Sequence, residues 1–440
     1  MSAFVSPLVE IEQRVLQRAK DESLDLDAEG TAARLSELLA EEVSRWSLDF
    51  KHGLRPFDLP DPDLVVEKAQ RNLTGYGPLE PLLADDDVWE IMINAPDQIF
   101  VKRHAGVSGY HDEAFHDDDH VLRTLTKVLD DASSSHRKLD PSEGLQDAQL
   151  DSGARLHIVH RDIGRGSHLI VNIRRFTGVA FRSLEQLVER GMLTAQVADL
   201  LRAATRAGLS TVFAGPPGSG KTTLLSCCAA ELDPGLRVVT AEEVFEVDVP
   251  LPNVASMQTR AARPDRPEVD LRRLVSGFLR MAPDVAIVGE VRDREALPLL
   301  LTLSSGVQGF TTIHAGSARQ ALSRLRFICQ LADTRSELPM TALNALVTEA
   351  VDLVVHTARV DGVPQVTEVI AVEDQQTGHG ATAFTVTDLF ARAAPGGPLT
   401  WTGNVPVRCG RALAAVGVDL HRLLDTPVVV TTVAGSVGQP

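Results

Sequence analysis

Thr211-Val212-Phe213-Ala214-Gly215-Pro216-Pro217-Gly218-Ser219-Gly220-Lys221-Thr222-Thr223-Leu224-Leu225 is the stretch whose reading decides the fold of this chain. Thr211–Ala214 predicts a strand, the run from Lys221 predicts a helix, and Gly215–Thr222 between them fits G-x-x-x-x-G-K-[ST]. The glycines let the backbone turn tightly, so that its N–H groups point inward and can cradle phosphate oxygens. The helix that follows adds its positive amino-terminal end. Lys221 supplies a point charge for the β- and γ-phosphates, and the Thr222 hydroxyl can ligate Mg²⁺. Pro216 and Pro217 have no N–H, so the cradle falls to Gly218, Ser219, Gly220, Lys221 and Thr222, with Thr223 following at the helix start. A turn that merely links strand to helix is the plainer alternative. The position of the motif between an apolar strand and a helix favours nucleotide.

Outward from this turn, strands at Arg237–Ala241, Val285–Val288 and Phe310–Ile313 alternate with helices at about Asp270–Met281, Asp293–Ser304 and Ser317–Gln330. Such alternation predicts an α/β fold with a parallel sheet covered on both faces. The strand ends carry chemistry. Glu290 closes the second strand, where a carboxylate can hold the water shell of Mg²⁺. Glu242 and Glu243 follow the first strand and can orient or deprotonate a water. His314 follows the third and can sense a γ-phosphate. Each residue alone reads as a solvated or structural side chain; beside a phosphate loop they read as a site. Arginines are dense at Arg260, Arg263, Arg266, Arg272, Arg273 and Arg280. Arg260, Arg280 and Arg292 are candidates for the phosphoryl oxygens, with a salt-bridged surface as the alternative. No Asn-Lys-x-Asp for guanine occurs, which favours ATP.

The chain has 440 residues, enough for about two to three domains. A net charge of -17 argues against a protein that coats nucleic acid, and no direct, stable nucleic-acid binding is expected. Four cysteines do not make a disulfide framework, and no signal peptide or membrane span is read, so the expected location is the cytoplasm. Ser6-Pro7 starts a helix carrying Ile11 and Val15, and a second helix from Thr31 carries Leu35, Leu38, Leu39, Val43 and Trp46. Proline-bearing residues 52–63 read as a linker. From Gly75 to Phe176 short strands and a helix at His120–Leu129 predict an α+β domain, with the acidic triplets Asp85–Asp87 and Asp117–Asp119 as solvated loops. Thr194 caps a helix that Gly208 stops, and Asp361-Gly362 turns a hairpin. The expected division is 1–63, helical segment and linker; 64–180, α+β domain; 181–425, ATPase domain; 426–440, loose tail.

The order of boxes resembles the secretion (traffic) ATPases of type II and type IV systems. The boxes are Gly215–Thr222, Glu242-Glu243, Ile287–Glu290 followed by Val291-Arg292-Asp293, and Gly309-Phe310-Thr311-Thr312-Ile313-His314-Ala315. Gly77-Pro78-Leu79-Glu80-Pro81-Leu82, Glu90-Ile91-Met92-Ile93-Asn94, Ile173-Arg174-Arg175-Phe176 and Val366-Thr367-Glu368-Val369 extend the resemblance. It points to the CpaF-like branch, the motor of tight-adherence (Flp) pili. The resemblance implies a RecA-like ATPase domain, a PAS-like N-terminal domain, and a homohexamer with nucleotide between the two domains. It further implies an inner-membrane platform partner and a place at the inner face of the cell membrane. On the same basis Glu242 is the general-base candidate, Glu290 the Walker B glutamate with Thr222 at Mg²⁺, His314 the coupling histidine and Arg174 an N-terminal contact to ATP.

The sequence departs from the family in four places, the last being a sparse tail after about Thr426 that relatives tend to lack. The acidic box reads Glu242-Glu243 rather than Glu-Asp, and Ala282 stands where an arginine is usual before Pro283-Asp284. Pro298 lies inside an expected helix. The tetracysteine zinc motif of the type II extension-motor branch does not occur, which argues against that branch. The leading reading is an ATP-hydrolysing motor for pilus assembly or secretion. The alternative is a nucleotide-gated scaffold with little turnover; a RecA-type helicase is disfavoured by the charge.

Overall fold

The computed structural model describes residues 6–424, apart from 27, 29, 104–105, 133–137, 176–180, 261, 263–265, 333–337, 375–382 and 393–396. Phe176, Arg263 and the expected tail at 426–440 lie outside the described residues. The chain forms two compact units, Met1–Thr177 and Gly178–Pro440.

In the first unit α1 (Pro7–Asp21), α2 (Ala32–Lys51) and α3 (Pro62–Thr74) share a core of Ile11, Val15, Leu35, Leu38, Leu39, Val43, Trp46 and Ala69. The third helix is where a linker was expected to end. Pro62 does not break structure there: Asp61 accepts a hydrogen bond from the Leu64 N–H, and the proline occupies the first turn, where its missing donor costs nothing. Leu59, from the same stretch, is 6% exposed and packs into the helical core. The expected division at residues 63/64 falls inside α3, and the three helices and the sheet, each with its own core, lie in one compact unit.

The sheet of this unit runs β3-β2-β1-β6-β5-β4. Its strands are β1 (Val88–Ala95), β2 (Gln98–Arg103), β3 (Gly109–Tyr110), β4 (Leu145–Gln149), β5 (Arg155–Val159) and β6 (Ile170–Arg174). The helices α4 (Leu79–Ala84) and α5 (Asp118–Asp130) join its core through Leu79, Leu82, Leu125 and Leu129. The acidic triplets are more than solvated loops. Asp85 is salt-bridged to Arg103, and Asp117 caps α5 by accepting from the His120 N–H.

His120 on α5 is 1% exposed, and burial, helped by the charge of His116, pushes its pKa down to about 3. The unfolded chain takes up a proton near pH 6.5 that the folded unit refuses until about pH 3. Stability is therefore fully present above pH 6.5 and is lost as pH falls, by about 1.4 kcal/mol per pH unit from this group. Urea unfolding followed by Trp46 and Trp89 should show His120→Gln losing about 2 kcal/mol less than the unaltered chain between pH 7 and pH 5.

The second unit begins with α6 (Leu184–Glu189) and α7 (Ala195–Arg206). Thr194 caps α7 by accepting from the Val197 N–H, and Gly208 ends the turn beyond it at φ +77°. The central strands and helices then alternate: β7 (Thr211–Ala214), α8 (Lys221–Ala229), β8 (Val238–Glu242), β9 (Val254–Gln258), α9 (Leu271–Val275), β10 (Val285–Val291), α10 (Ala296–Ser304), β11 (Gln308–Ile313), α11 (Ala318–Ala332) and α12 (Met340–Ala350). The chain closes with β12 (Leu353–Val360), β13 (Val363–Val372), β14 (Val386–Arg392), β15 (Leu399–Trp401), α13 (Arg408–Ala415) and α14 (Leu420–Leu424). The sheet order is β15-β14-β13-β12-β7-β11-β10-β8-β9, parallel from β12 through β9 and antiparallel beyond β12. Leu224, Leu225, Phe213 and Phe310 pack on one face, and Val212, Ala286, Leu299 and Leu325 on the other. This is the expected mixed α/β fold.

Two expected helices differ. The one at 270–281 breaks into α9 and a 3-10 turn, Phe278–Met281. Gly277 interrupts the run, and Ala282, held out of helix by Pro283, sits at φ +51°. Pro298 neither breaks nor kinks its helix, because α10 starts at Ala296 and the proline falls in the first turn. The four cysteines are unpaired and buried. Among the described residues no helix is long and apolar enough to cross a membrane.

Candidate nucleotide-binding site

The parallel order β8-β10-β11-β7 brings the carboxyl ends of four strands side by side, and each expected motif leaves from one of them. The loop after β7 turns at Gly215, Gly218 and Gly220, with φ of +152°, +68° and +85°. At Gly215 the neighbouring backbone leaves no room for a side chain, whereas at Gly220 the left-handed φ is the constraint and a Cβ would meet the movable end of Met192. A Cβ at Gly215 would lie 2.2 Å from the Thr357 carbonyl oxygen, and one at Gly220 would lie 2.7 Å from Met192 Cε. Gly220 is also the N-cap of α8 in the left-handed region, so Lys221 opens the helix with its amide turned toward the loop. Thr222 and Thr223 follow in the first turn, both half-buried.

Pro216 contributes its carbonyl instead of a donor. That oxygen accepts from Ser219 Oγ at 2.8 Å and from Lys221 Nζ at 2.9 Å. Ser219 is fully buried, so its hydroxyl braces the loop from inside. Lys221, 7% exposed, holds an ammonium group that a phosphate would draw off the proline carbonyl.

From Lys221 a chain of charged groups crosses the strand ends. Lys221 Nζ lies 3.3 Å from His314 Nδ1, and His314 Nε2 lies 2.8 Å from Glu290 Oε1. Glu290 Oε2 accepts from Arg292 Nη2 at 2.7 Å, and Arg292 Nη1 donates to Glu243 Oε2 at 2.7 Å. A bulge in the β10–β11 pairing between Val288 and Val291 re-aims Glu290 out of the sheet toward His314. Thr312 Oγ1 donates to the Gly289 carbonyl at 2.7 Å and fastens the bulge to β11.

The charges set one another. Burial and the ammonium of Lys221 hold the His314 pKa below its ordinary value, against the opposing pull of Glu290. The aligned hydrogen bonds of His314 run through Nδ1, which accepts from Lys221 Nζ when bare and donates to the Gly215 carbonyl, 3.1 Å away, when protonated; Nε2 meets Glu290 by proximity and charge alone. At Glu290 burial works to raise the carboxyl pKa. The hydrogen bond and charge of Arg292, with His314 and Lys221 beyond, outweigh it and leave the group below its ordinary value. Glu290 is therefore a carboxylate at neutral pH, and the Glu290 hydrogen bond in turn raises Arg292.

The two residues of the acidic box part company. Glu242 is 2% exposed, and its Oε1 accepts from the backbone amides of Glu246 and Val247, each at 2.9 Å. Its side chain lies against Gly289, where a Cβ would come within 2.9 Å of Glu242 Cγ. Glu242 thus fastens the loop after β8 to the β10 bulge. Glu243 carries the half-exposed carboxylate on Arg292. Of the other expected residues, Arg260 donates to the Pro267 carbonyl at 3.2 Å and Arg280 to the Ser276 carbonyl at 3.2 Å, so neither joins this chain of contacts. Arg174 ends β6 in the first unit, opposite Glu90 on β1 and Arg155 on β5.

Two residues that no motif marks touch the loop: Thr357 and Arg359 on β12. Their contact is made across strands, and the only nearby signal in the sequence is the Asp361-Gly362 turn.

Residues 72–384 match the family described as type II/IV secretion system protein. A provisionally named conjugal transfer protein of Mycobacterium tuberculosis is 31% identical over 299 residues, covering 66% of this chain and 82% of its own. The type IV secretion system protein PtlH of Bordetella pertussis is 31% identical over 304 residues, covering 64% of this chain and 88% of its own. Among solved structures, the VirB11 ATPase of the Brucella suis type IV secretion system is 26% identical with a TM-score of 0.35, covering 66% of this chain and 94% of that one. A match that takes in the phosphate loop and all three strand-end motifs places the chain in the type II/IV secretion system ATPase family.

Proposed function

We propose that this chain is an ATP-hydrolysing motor, working as a homohexamer at the inner face of the cell membrane on a platform protein of a pilus, conjugation or secretion apparatus. We propose the CpaF-like branch for it on the motifs quoted above. The observation that supports hydrolysis is the unbroken line Lys221–His314–Glu290–Arg292–Glu243 at the mouth of the phosphate loop. Names among its relatives, conjugal transfer protein and type IV secretion system protein, support the wider setting.

In this reading the amides from Gly218 to Thr222 and the start of α8 hold the triphosphate, and Lys221 leaves Pro216 for the β- and γ-phosphates. Thr222 and the ionised Glu290 are hard oxygen donors of the kind Mg²⁺ takes, Glu290 through water. Mg²⁺ would supply charge neutralisation of the phosphate oxygens. Glu243 is the better-placed acid to orient the attacking water, because both amide bonds to Glu242 Oε1 commit that carboxylate to its loop. His314, between Lys221 and Glu290, is the residue that registers whether the γ-phosphate is present. Arg292 can move from the two carboxylates to phosphate; Arg174, Arg260 and Arg280 are proposed as further nucleotide contacts in the assembled ring.

Phosphate release by the purified chain with Mg·ATP tests the proposal. Turnover of at least about 0.1 s⁻¹ is expected, slow beside the ordinary enzyme range. Tight ATP binding without release would favour the nucleotide-gated scaffold.

A further inference from the structure

The hairpin of β12 and β13 reaches the phosphate loop from the side opposite the acids. β12 pairs in parallel with β7 as far as His356 opposite Ala214, so Thr357 arrives where the chain turns at Gly215. Thr357 is fully buried, with Oγ1 2.8 Å from Ser219 Oγ and 3.3 Å from the Ala214 carbonyl. With the Ser219 proton on the Pro216 carbonyl, the single Thr357 proton serves either Ser219 Oγ or the Ala214 carbonyl. Two residues on, along the same face of the strand, Arg359 Nε donates to the Gly218 carbonyl at 2.9 Å and Nη1 to the Gly362 carbonyl at 2.6 Å. One strand thus holds both the entry and the crest of the loop.

Alternation turns the neighbouring side chains to the other face. His356 Nε2 lies 3.3 Å from the Ala315 carbonyl, and Glu368 accepts from the Ala318 N–H at 2.9 Å. Both anchor the hairpin to the segment that leaves His314.

We propose that Thr357 and Arg359 are positioning residues that hold the loop in the shape that takes a nucleoside diphosphate or triphosphate, while His356 and Glu368 keep the hairpin fixed against the His314 segment. The inference rests on the nucleotide reading of the loop and not on turnover. A loop braced by bonds to a neighbouring strand meets its ligand already ordered, and loosening it moves the cost of ordering into binding.

Calorimetric titration of the purified full chain with Mg·ADP, which requires no hydrolysis, is the test. Thr357→Val is expected to raise Kd about tenfold, Arg359→Gln to raise it about threefold, and Thr357→Ser to restore it to within about twofold of the unaltered chain. The urea midpoint of Arg359→Gln should stay at that of the unaltered chain, since Arg359 is exposed. If Thr357→Val does not fold, Arg359→Gln and Thr357→Ser still decide. Valine and glutamine variants that bind Mg·ADP as tightly as the unaltered chain would overturn the proposal, as would a serine variant as weak as the valine one. An unaltered chain that takes up no Mg·ADP overturns this proposal and the nucleotide reading together; Mg·ADP binding without ATP turnover supports this one while removing the motor.

Discussion

Lys221→Ala is expected to weaken Mg·ATP binding by roughly 100-fold, the loss of a charge-assisted hydrogen bond worth about 2–3 kcal/mol, and to bring phosphate release down to background. Lys221 is 7% exposed, and its ammonium is held between the Pro216 carbonyl and His314, where water competes little for it. Removing it also removes a charge that depresses the His314 pKa, so that pKa should rise in the variant. Imidazole resonances followed by NMR across pH check this part without any nucleotide. A variant that hydrolyses ATP within about tenfold of the unaltered chain contradicts the assignment of Lys221.

Glu290→Gln should separate binding from chemistry. Glutamine keeps the size and can still meet His314 and Arg292, but it cannot carry the negative charge that Glu290 holds at neutral pH. Turnover is expected to fall about 10²- to 10³-fold, with ATP affinity within about threefold of the unaltered chain. Single-turnover phosphate release beside equilibrium binding reads both quantities. An equal loss in affinity and turnover would make Glu290 a support of the loop rather than a participant at the γ-phosphate.

The sequence revealed most of the nucleotide unit because its signals are local. Glycines at 215, 218 and 220 are demanded by positive φ and close contacts, and the strand-end residues Glu290 and His314 follow apolar runs directly. Signals of the opposite kind misled. Pro62 and Pro298 read as interruptions, yet each sits in the first turn of a helix, where a missing N–H is harmless. Residues 52–63 read as a linker because polar and proline residues dominate, and Leu59 alone could not announce that it packs among the helices. The separate fates of Glu242 and Glu243 were hidden as well. They depend on two backbone amides and on Arg292, groups brought together only by the fold. Thr357 and Arg359 were invisible for the same reason: β12 lies beside β7 in space, far from it in sequence.

The central claim is that a triphosphate on the Gly218–Thr222 amides faces Glu290 and His314 across the strand ends. A crystal structure of the chain with Mg²⁺ and a non-hydrolysable ATP analogue tests it most directly. The account predicts the terminal phosphate within about 3 Å of Lys221 Nζ, with the Glu290 carboxylate turned toward it. A triphosphate bound elsewhere, or Glu290 and Glu243 both turned from the loop once it is filled, would contradict it.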